Sequence, residues 1–334
     1  MSDAAIAVLL PFRNAERTLE AAIASIAKQT HHDLELLLID NASTDASRTT
    51  AERWAAEDAR VRVIHEPRTG IAHALNTGLA QARSPLIARM DADDVAHPER
   101  LAKQLAYMHA HPEVGVLGTR TAFTTTVEKS SGMRWFVAWQ NAILSPEEHF
   151  VKRFVDAPLA HPTVLFRREL VERYGGYDTG PLPEDHELWL RWMHHGVRFA
   201  KLPEELLTWA DHSHRLSRTH ANYSVEAFFS TKAKWLALWL EQHLGERPLI
   251  IAGTSGLCRT RAKLLEAQGV RIHAFTDVRP REMPGYAFVP HTALPPAGEA
   301  FVLSFISQRG TGDRIAAFLA SCGLVEGVDF LLAA

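Results

Sequence analysis

The segment Asp91-Ala92-Asp93 is the part of this chain whose residue types point most directly to chemistry. It follows the apolar run 86–90, which predicts a short buried strand, so the side chains of Asp91 and Asp93 are expected to point the same way. Mg²⁺ and Mn²⁺ prefer such oxygen ligands and commonly complete their coordination with water and substrate phosphates. The segment therefore predicts a divalent-metal site. The alternative is an acidic surface turn in which Asp94 caps a helix that starts near Pro98.

Apolar runs alternate with helical patterns on the amino-terminal side of this segment. Strands are predicted at residues 6–10, 34–39, 61–64 and 86–90, and Pro11 is expected to stop the first of them. Helices are predicted at 19–26, around Trp54 and at 71–82. Continuous apolar strands that alternate with helices indicate an α/β fold whose parallel sheet is covered on both faces.

A polar segment follows three of these predicted strands. Residues 11–14 follow the first strand, residues 40–45 follow the second, and residues 91–93 follow the fourth. Because ligands bind outside the carboxyl ends of the strands in such sheets, we expect the three segments to line one crevice.

Seven segments, in this order along the chain, resemble the motifs of family 2 glycosyltransferases, which have the GT-A fold. On the donor side they are LLPFRN (9–14), LIDNASTD (38–45), RTGIAHALNTG (68–78) and MDADD (90–94). On the acceptor side they are HPTVLFRR (161–168), GGYD (175–178) and EDHELWLR (184–191). The resemblance covers roughly residues 4–218, and several motifs in the correct order are more specific than any single one. It departs at Asp40-Asn41, where the family usually has two aspartates, and at Phe12-Arg13, where Thr-Tyr is common; both departures bear on base and sugar preference.

The resemblance implies an α/β chain with the GT-A nucleotide-diphospho-sugar transferase fold and an inverting, metal-dependent transferase of the hexosyltransferase type. The donor is expected to be a nucleotide sugar, in the first instance a UDP-sugar, and the acceptor a hydroxyl of a glycan or lipid-linked glycan in polysaccharide biosynthesis. One alternative is a sugar nucleotidyltransferase, which is expected to carry a glycine-rich, basic triphosphate loop near the first strand. The other is a non-catalytic carbohydrate-binding or scaffold protein derived from the enzyme, against which the presence of Asp91, Asp93 and Asp185 together speaks.

The resemblance also implies roles for residues of the donor side. Asp40 would accept a hydrogen bond from the nucleobase imino group, and its alternative is a turn aspartate that bonds its own backbone. Asp91 would contact the ribose or a metal-bound water, and Asp93 would hold the Mn²⁺ or Mg²⁺ ion that bridges the two phosphates. The complete set of donor-binding candidates is Pro11, Phe12, Arg13, Asp40, Arg68, Asn76, Asp91 and Ala92, with Arg89 as a further basic candidate.

His212 is the histidine for which the resemblance implies a role. It lies in the segment 207–217, which resembles a carboxyl-terminal part of the family's domain where a histidine often lies near the metal or diphosphate. Imidazole can join carboxylates around Mn²⁺. His214 and then His220 are the competing candidates, and a polar loop without a ligand is the alternative.

Glu184 and Asp185 begin a predicted helix. A carboxylate in the first helical turn is often a cap that complements the helix dipole. The resemblance instead implies that Asp185 is the general base that removes a proton from the acceptor hydroxyl, while Glu184 supports that geometry or touches the acceptor.

Composition limits the class of protein. With 46% hydrophobic residues and a net charge of −3, neither disorder nor a basic nucleic-acid-binding surface is indicated, so no nucleic-acid partner is expected. Two cysteines, Cys258 and Cys322, exclude a disulfide framework and a thiolate zinc site and indicate a reducing compartment. Because neither a signal peptide nor a bilayer-spanning apolar run is recognisable, we expect a cytoplasmic protein, with the inner face of the membrane as an alternative.

Three parts are predicted along the 334 residues: a glycosyltransferase domain at 1–222, a helical linker at 223–246 and a small Rossmann-like α/β domain at 247–334. The apolar helix expected at 227–244 contacts a membrane surface or, as apolar stripes more often indicate, is buried between domains or in a homodimer. In the last domain the glycine turn Gly253-x-x-Gly256 lacks the full dinucleotide-binding pattern, although Asp277 has the position of a ribose-binding acid. An interaction or dimerisation module is therefore favoured there over a cofactor site.

Overall fold

The computed structural model describes residues 4–213, 215–279, 281, 283–308 and 310–334. The chain divides into two compact units, the first comprising Met1–His149 and Pro158–Tyr223 and the second Phe150–Ala157 and Ser224–Ala334. This division assigns the segment predicted as a linker, apart from Tyr223, to the second unit, together with residues 150–157. The predicted boundaries at 222 and 246 stay predictions.

The first unit contains an eight-stranded sheet. Its strands are β1 (Ile6–Phe12), β2 (Leu34–Asp40), β3 (Val61–His65), β4 (Leu86–Arg89), β5 (Val95–Ala96), β6 (Val114–Thr125), β7 (Leu165–Arg167) and β8 (Arg198–Asp211). They lie in the order β3-β2-β1-β4-β7-β6-β8-β5. The pairs among β1–β4 and the pair of β6 with β8 are parallel, whereas β7 runs antiparallel to β4 and β6, and β5 to β8. The predicted mostly parallel α/β sheet is confirmed.

Helices flank this sheet. They are α1 (Leu19–Ala27), α2 (Ser47–Glu57), α3 (Ile71–Gln81), α4 (Arg100–Ala110), α5 (Ser131–Ala142), α6 (Pro146–Lys152), α7 (Glu169–Tyr174), α8 (Glu184–His194) and α9 (Leu216–Thr219), with 3₁₀ turns at His161–Thr163 and Ala221–Tyr223. Alternate residues of β1 pack into different clusters: Ile6 and Val8 on one face, Ala7 and Leu9 on the other. Burial of both faces explains why the strand is a continuous apolar run.

β1 is longer than predicted. Pro11 was expected to end it, but the parallel register continues from Pro11 opposite Ile39 to Phe12 opposite Asp40. Proline removes one ladder donor without blocking its own carbonyl or the next residue, and the Phe12 carbonyl accepts a hydrogen bond from the Asn41 amide at 2.9 Å. β1 and β2 therefore end side by side at the same edge of the sheet.

The second unit has its own sheet, in which every strand pair is parallel. Its strands are β9 (Leu249–Ala252), β10 (Ala274–Thr276), β11 (Ala287–Phe288), β12 (Phe301–Ser304) and β13 (Phe330–Leu332), in the order β11-β10-β9-β12-β13. Its helices are α10 (Val225–His243), α11 (Gly256–Glu266) and α12 (Gly312–Ser321), with a 3₁₀ turn at His291–Ala293. The predicted small Rossmann-like module thus has the expected parallel sheet.

Helix α10 packs inside the second unit. The Trp239 ring lies 5.5 Å from that of Phe301, and the Arg153 guanidinium lies 5.5 Å from the Trp239 ring. The Lys232 ammonium donates to the Val155 carbonyl at 3.0 Å. Contact with a membrane surface and a homodimer stay predictions. Within the described ranges, no helix combines the length and the apolar character needed to cross a bilayer.

Asp277 and Gly253 close the turn after β9. The Asp277 carboxylate accepts hydrogen bonds from the backbone amide and the hydroxyl of Thr254, at 2.9 and 2.7 Å. Gly253 has φ +110°, and a Cβ there would lie 2.6 Å from Cys258 Sγ and 2.8 Å from Ile306 Cγ1. The acid that the sequence suggested for a ribose thus follows β10 and is engaged with the turn after β9.

Candidate active site

Three carboxylates gather directly after β4. Asp91, Asp93 and Asp94 each offer an oxygen atom, and these atoms lie within 4.8 Å of one another. Asp94 is 1% exposed, and its Oδ1 accepts a hydrogen bond from the Ala210 amide at 2.9 Å. The alternative of a surface turn in which Asp94 caps the next helix is wrong, because Asp94 is buried against the end of β8.

The negative charges of the three carboxylates repel one another. Burial raises the pKa of Asp93, the charge of Asp91 raises it further, and Arg215 and His212 act in the opposite direction. Burial also raises the pKa of Asp94 well above its ordinary value, with Asp91 and Asp93 adding to the effect. A divalent cation would relieve this repulsion, and three carboxylates with a neighbouring imidazole are a donor set that suits Mg²⁺ or Mn²⁺.

His212 lies beside this cluster. It follows β8 directly, and its Nε2 lies 2.8 Å from Asp93 Oδ2. The Asp211 carboxylate before it accepts two hydrogen bonds from Arg218, at 2.8 and 2.7 Å, which fix the start of the segment. His214 lies outside the described residues, and the Nδ1 of His220 accepts the Asn222 amide of its own turn. His212 is therefore the described histidine whose position suits a metal ligand.

Arg89 is a buried cation beside the acidic cluster. Its guanidinium is 2% exposed and forms an ion pair with Asp91. Burial lowers the pKa of Arg89, but the negative charge of Asp91 raises it by more, so the net pKa is raised. Tyr177 and Glu184 add to this increase. The side chain of Arg100 donates to the Arg89 carbonyl at 2.8 Å. Arg89 is thus a buried charge between acids rather than an exposed phosphate ligand.

Glu184 and Asp185 form the first turn of α8. Glu184 is 4% exposed, and its Oε2 accepts the Tyr223 hydroxyl at 2.7 Å. Burial, and after it the charge of Asp185, raises the pKa of Glu184 to about 8. Asp185 is half-buried, and its Oδ1 accepts the His186 amide at 2.7 Å, a contact with the next residue; the N-cap position of α8 is Pro183. The role of Asp185 as a base stays a prediction.

Asp40 lies at the carboxyl end of β2 and is 1% exposed. Its Oδ1 accepts the Ser43 amide at 3.0 Å, and its Oδ2 lies 3.3 Å from His65 Nδ1. The first contact is the one expected of a turn aspartate. Next to it, Pro11 and Phe12 are buried in β1, whereas Arg13 is exposed beyond the strand end.

Asn41 fixes the loop that follows β3. Its Nδ2 donates to the Arg68 carbonyl at 2.7 Å, and its Oδ1 accepts the Gly70 amide at 2.8 Å. The Arg68 guanidinium donates to Glu66 at 2.7 and 2.9 Å, while the side chain remains 65% exposed. These hydrogen bonds, followed by one from Thr77, hold the pKa of Glu66 well below its ordinary range. Arg68 therefore extends from a fixed loop that follows β3.

Asn76 is engaged with the backbone of another segment. Its Oδ1 accepts the Tyr177 amide at 2.9 Å, and its Nδ2 donates to the Tyr177 carbonyl at 2.8 Å. The side chain thus links α3 to the turn before α8. The Tyr177 hydroxyl in turn lies 2.8 Å from Nε2 of the buried His161. The sequence suggested Asn76 as a donor ligand; its observed contacts are structural.

The structure brings together Asp91, Asp93 and His212, with half-buried Ala92 between the two aspartates and buried Arg89 paired with Asp91. Sequence reasoning considered Asp94 only as a helix cap and missed Arg215 and Tyr223. For Tyr223 the sequence carried no signal, because it lies beyond the recognised motifs and meets Glu184 only through the fold.

Residues 7–175 match the family model described as glycosyl transferase family 2. The amylovoran biosynthesis glycosyltransferase AmsE of Erwinia amylovora is 31% identical over 218 residues, which cover 60% of this chain and 74% of the relative. The O-antigen biosynthesis glycosyltransferase WbnJ of Escherichia coli is 26% identical over 232 residues, which cover 68% of this chain and 87% of the relative.

Solved structures share the fold. A crystal structure of S. aureus TarS, residues 1–349, in complex with UDP-GlcNAc has a TM-score of 0.55 at 16% identity and covers 71% of this chain and 72% of that one. The mannosyltransferase PcManGT of Pyrobaculum calidifontis, in complex with GDP-Man and Mn²⁺, has a TM-score of 0.50 at 22% identity and covers 72% of this chain and 64% of that one. The likeness confirms the predicted GT-A fold. Because the family model matches half of the residues of this chain, the chain belongs to glycosyl transferase family 2 and is a glycosyltransferase.

Proposed function

We propose that this chain is an inverting, divalent-metal-dependent glycosyltransferase that moves a sugar from a UDP-sugar to a hydroxyl acceptor in polysaccharide biosynthesis. The observation that carries the proposal is the cluster of Asp91, Asp93 and His212 at the carboxyl end of β4, where the buried Arg89 pairs with Asp91. AmsE and WbnJ, whose names refer to amylovoran and O-antigen biosynthesis, support the biological setting. The complexes of TarS with UDP-GlcNAc and of PcManGT with GDP-Man and Mn²⁺ support a nucleotide-sugar donor and a metal.

The donor lies, in this proposal, along the carboxyl edge of β1, β2 and β4. Asp40 and the segment Pro11-Phe12-Arg13 contact the base, and Asp91 with Ala92 contacts the ribose. Arg68, exposed and held by Glu66, is placed to approach the phosphates. Asn76 is left out of this donor site, because both ends of its amide are bonded to Tyr177.

Asp93, Asp91 and His212 would hold the divalent ion, Mn²⁺ or Mg²⁺. When bound, such an ion supplies Lewis-acid stabilisation for the charge that develops on the leaving nucleoside diphosphate. Arg89 pairs with Asp91 from the buried side and orients its carboxylate.

Asp185 acts on the acceptor. Its carboxylate accepts the proton of the acceptor hydroxyl while that oxygen attacks the anomeric carbon from the face opposite the diphosphate. The bond from the anomeric carbon to the diphosphate oxygen breaks, and the configuration inverts. The half-exposed side chain at the start of α8 is accessible to such an acceptor, a glycan or a lipid-linked glycan.

A panel of nucleotide sugars tests this proposal. The purified chain is incubated with UDP- and GDP-sugars in Mn²⁺, and release of nucleoside diphosphate is measured with and without EDTA. We expect release from a UDP-sugar that stops in EDTA and resumes on adding Mn²⁺. Release that is unchanged in EDTA would contradict the metal site, and release from GDP-sugars alone would contradict the donor base.

A further inference from the structure

Tyr223 contacts the carboxylate next to the proposed base. It ends the 3₁₀ turn Ala221–Tyr223, and its hydroxyl donates to Glu184 Oε2 at 2.7 Å. Glu184 is nearly inaccessible to water, and a hydrogen bond is electrostatically stronger in such surroundings than in water. Loss of the Tyr223 hydroxyl would leave a buried carboxylate oxygen without this donor.

The same short segment also contacts the acidic cluster. It begins after β8 with His212, whose Nε2 lies 2.8 Å from Asp93 Oδ2, and it ends with Tyr223 on Glu184. Between these points, Arg218 binds Asp211, and the His220 amide donates to the Leu216 carbonyl at 2.9 Å. This segment therefore contacts Asp93 near its start and Glu184 at its end.

We propose that Tyr223 is a positioning residue for glycosyl transfer: its hydroxyl orients the Glu184 carboxylate beside Asp185 and ties the base-bearing turn of α8 to the segment that carries His212. This inference rests on the proposed function, since it assigns Tyr223 to the geometry of the same site. Tyr223 acts through Glu184 and is not itself placed against a substrate.

The surroundings of Glu184 fix the sign of the expected effect. Asp185 faces it from the same helix, Arg89 from the end of β4, Tyr177 from the turn before α8, and Tyr223 from the segment after α9. Burial and Asp185 raise the pKa of Glu184, whereas the Tyr223 hydrogen bond stabilises the charged form and lowers it. Removing the hydroxyl must therefore raise the pKa of Glu184 further.

Carboxyl-carbon NMR of glutamate-labelled protein measures this pKa without any substrate. The Glu184 resonance is assigned as the one lost in Glu184→Gln. In Tyr223→Phe, we expect its titration midpoint to move up by about one pH unit, the shift that corresponds to losing one hydrogen bond to a charged group. Tyr286→Phe is the matched control, because the Tyr286 hydroxyl donates to Glu266 at 2.8 Å in the second unit. An unchanged Glu184 midpoint in Tyr223→Phe would overturn the inference.

Kinetics test the consequence for transfer. With the donor found for the native protein, Tyr223→Phe should lower kcat about tenfold, leave the donor KM within about twofold, and move the pH profile upward with the Glu184 midpoint. Adding Tyr223→Phe to Glu184→Ala should cost little more than Glu184→Ala alone, because Glu184→Ala already removes the acceptor of the Tyr223 hydrogen bond. Thermal unfolding of each variant separates this effect from loss of fold.

The two proposals fail in different ways. If the native protein transfers no sugar while the NMR midpoint moves as expected, the proposed function fails and the Tyr223–Glu184 interaction stands. If the native protein is active and Tyr223→Phe matches it in kcat and pH profile, the positioning role is wrong.

Discussion

Asp93 is the residue on which the proposed metal site depends most directly. Its carboxylate lies among Asp91, Asp94 and His212, so Asp93→Asn keeps the size of the side chain and removes the charge that a cation needs. We expect calorimetric titration of UDP to lose its dependence on Mn²⁺, and turnover to fall by about 10² or more. Asp313→Asn, on an exposed position of α12, should leave both unchanged. EDTA-sensitive activity at the native level in Asp93→Asn would contradict the assignment.

Asp185 separates chemistry from donor binding. Asp185→Asn should leave the affinity for UDP with Mn²⁺ nearly intact, because the proposed base faces the acceptor, while transfer falls by about 10² to 10⁴. The neutral side chain can still accept the His186 amide, so the helix end is preserved. Glu169→Gln, at an exposed acid in the first turn of α7 and outside the recognised motifs, is the control. If affinity for UDP falls and transfer at saturating donor survives, Asp185 belongs to the donor side or only caps the helix.

Helix α3 and the turn before α8 are held together by one side chain. Asn76 makes two hydrogen bonds with the Tyr177 backbone, and its Oδ1 lies so near Gly176 that a Cβ there would be 2.6 Å away. We expect Asn76→Ala to lower the free energy of unfolding by about 2 kcal/mol in urea titrations, since two partly buried backbone groups lose their partner. Gln81→Ala, on an exposed position of the same helix, should change it by less than about 0.5 kcal/mol. Equal stabilities would contradict this role.

The hydrophobic pattern of the sequence predicted the strands and helices that depend on local sequence. The alternation of apolar strands and helices up to β4 follows from burial on both sheet faces, and the parallel direction then places Asp40 and Asp91 at one edge without further information. The predicted end of β1 at Pro11 was wrong. Proline removes only one hydrogen bond of the ladder, and Phe12 still pairs with Asp40 in the same register.

Contacts between distant segments could not be read from pattern. Asn76 meets Tyr177 across 101 positions and Tyr223 meets Glu184 across 39, and neither spacing leaves a periodic signal. The antiparallel strands β5 and β7 depend in the same way on partners far along the chain. The motifs therefore indicated which charged residues lie at the site. Only the fold showed which of them form hydrogen bonds or ion pairs with residues of distant segments.

At the scale of the whole molecule, the two units have separate cores and separate sheets, and the residues of the proposed reaction all belong to the first. The glycine turn of the second unit offers a way to perturb that unit in the full chain. At Gly253 the backbone has φ +110°, and a methyl group would collide with Cys258 and Ile306. At Gly269 φ is +86°, but a methyl group would meet nothing within 4 Å.

Gly253→Ala should therefore destabilise the second unit by about 3 kcal/mol, through backbone strain and overpacking together, whereas Gly269→Ala should cost about 1 kcal/mol from the backbone alone. Hydrogen exchange of peptides from β9 and β12 measures this loss within the second unit. Affinity for UDP with Mn²⁺, measured by calorimetry on monodisperse protein, should remain native in both variants, because every proposed donor ligand lies in the first unit. If Gly253→Ala abolishes nucleotide binding and Gly269→Ala preserves it, the second unit contributes to the donor site, and the assignment of donor binding to the first unit alone is wrong.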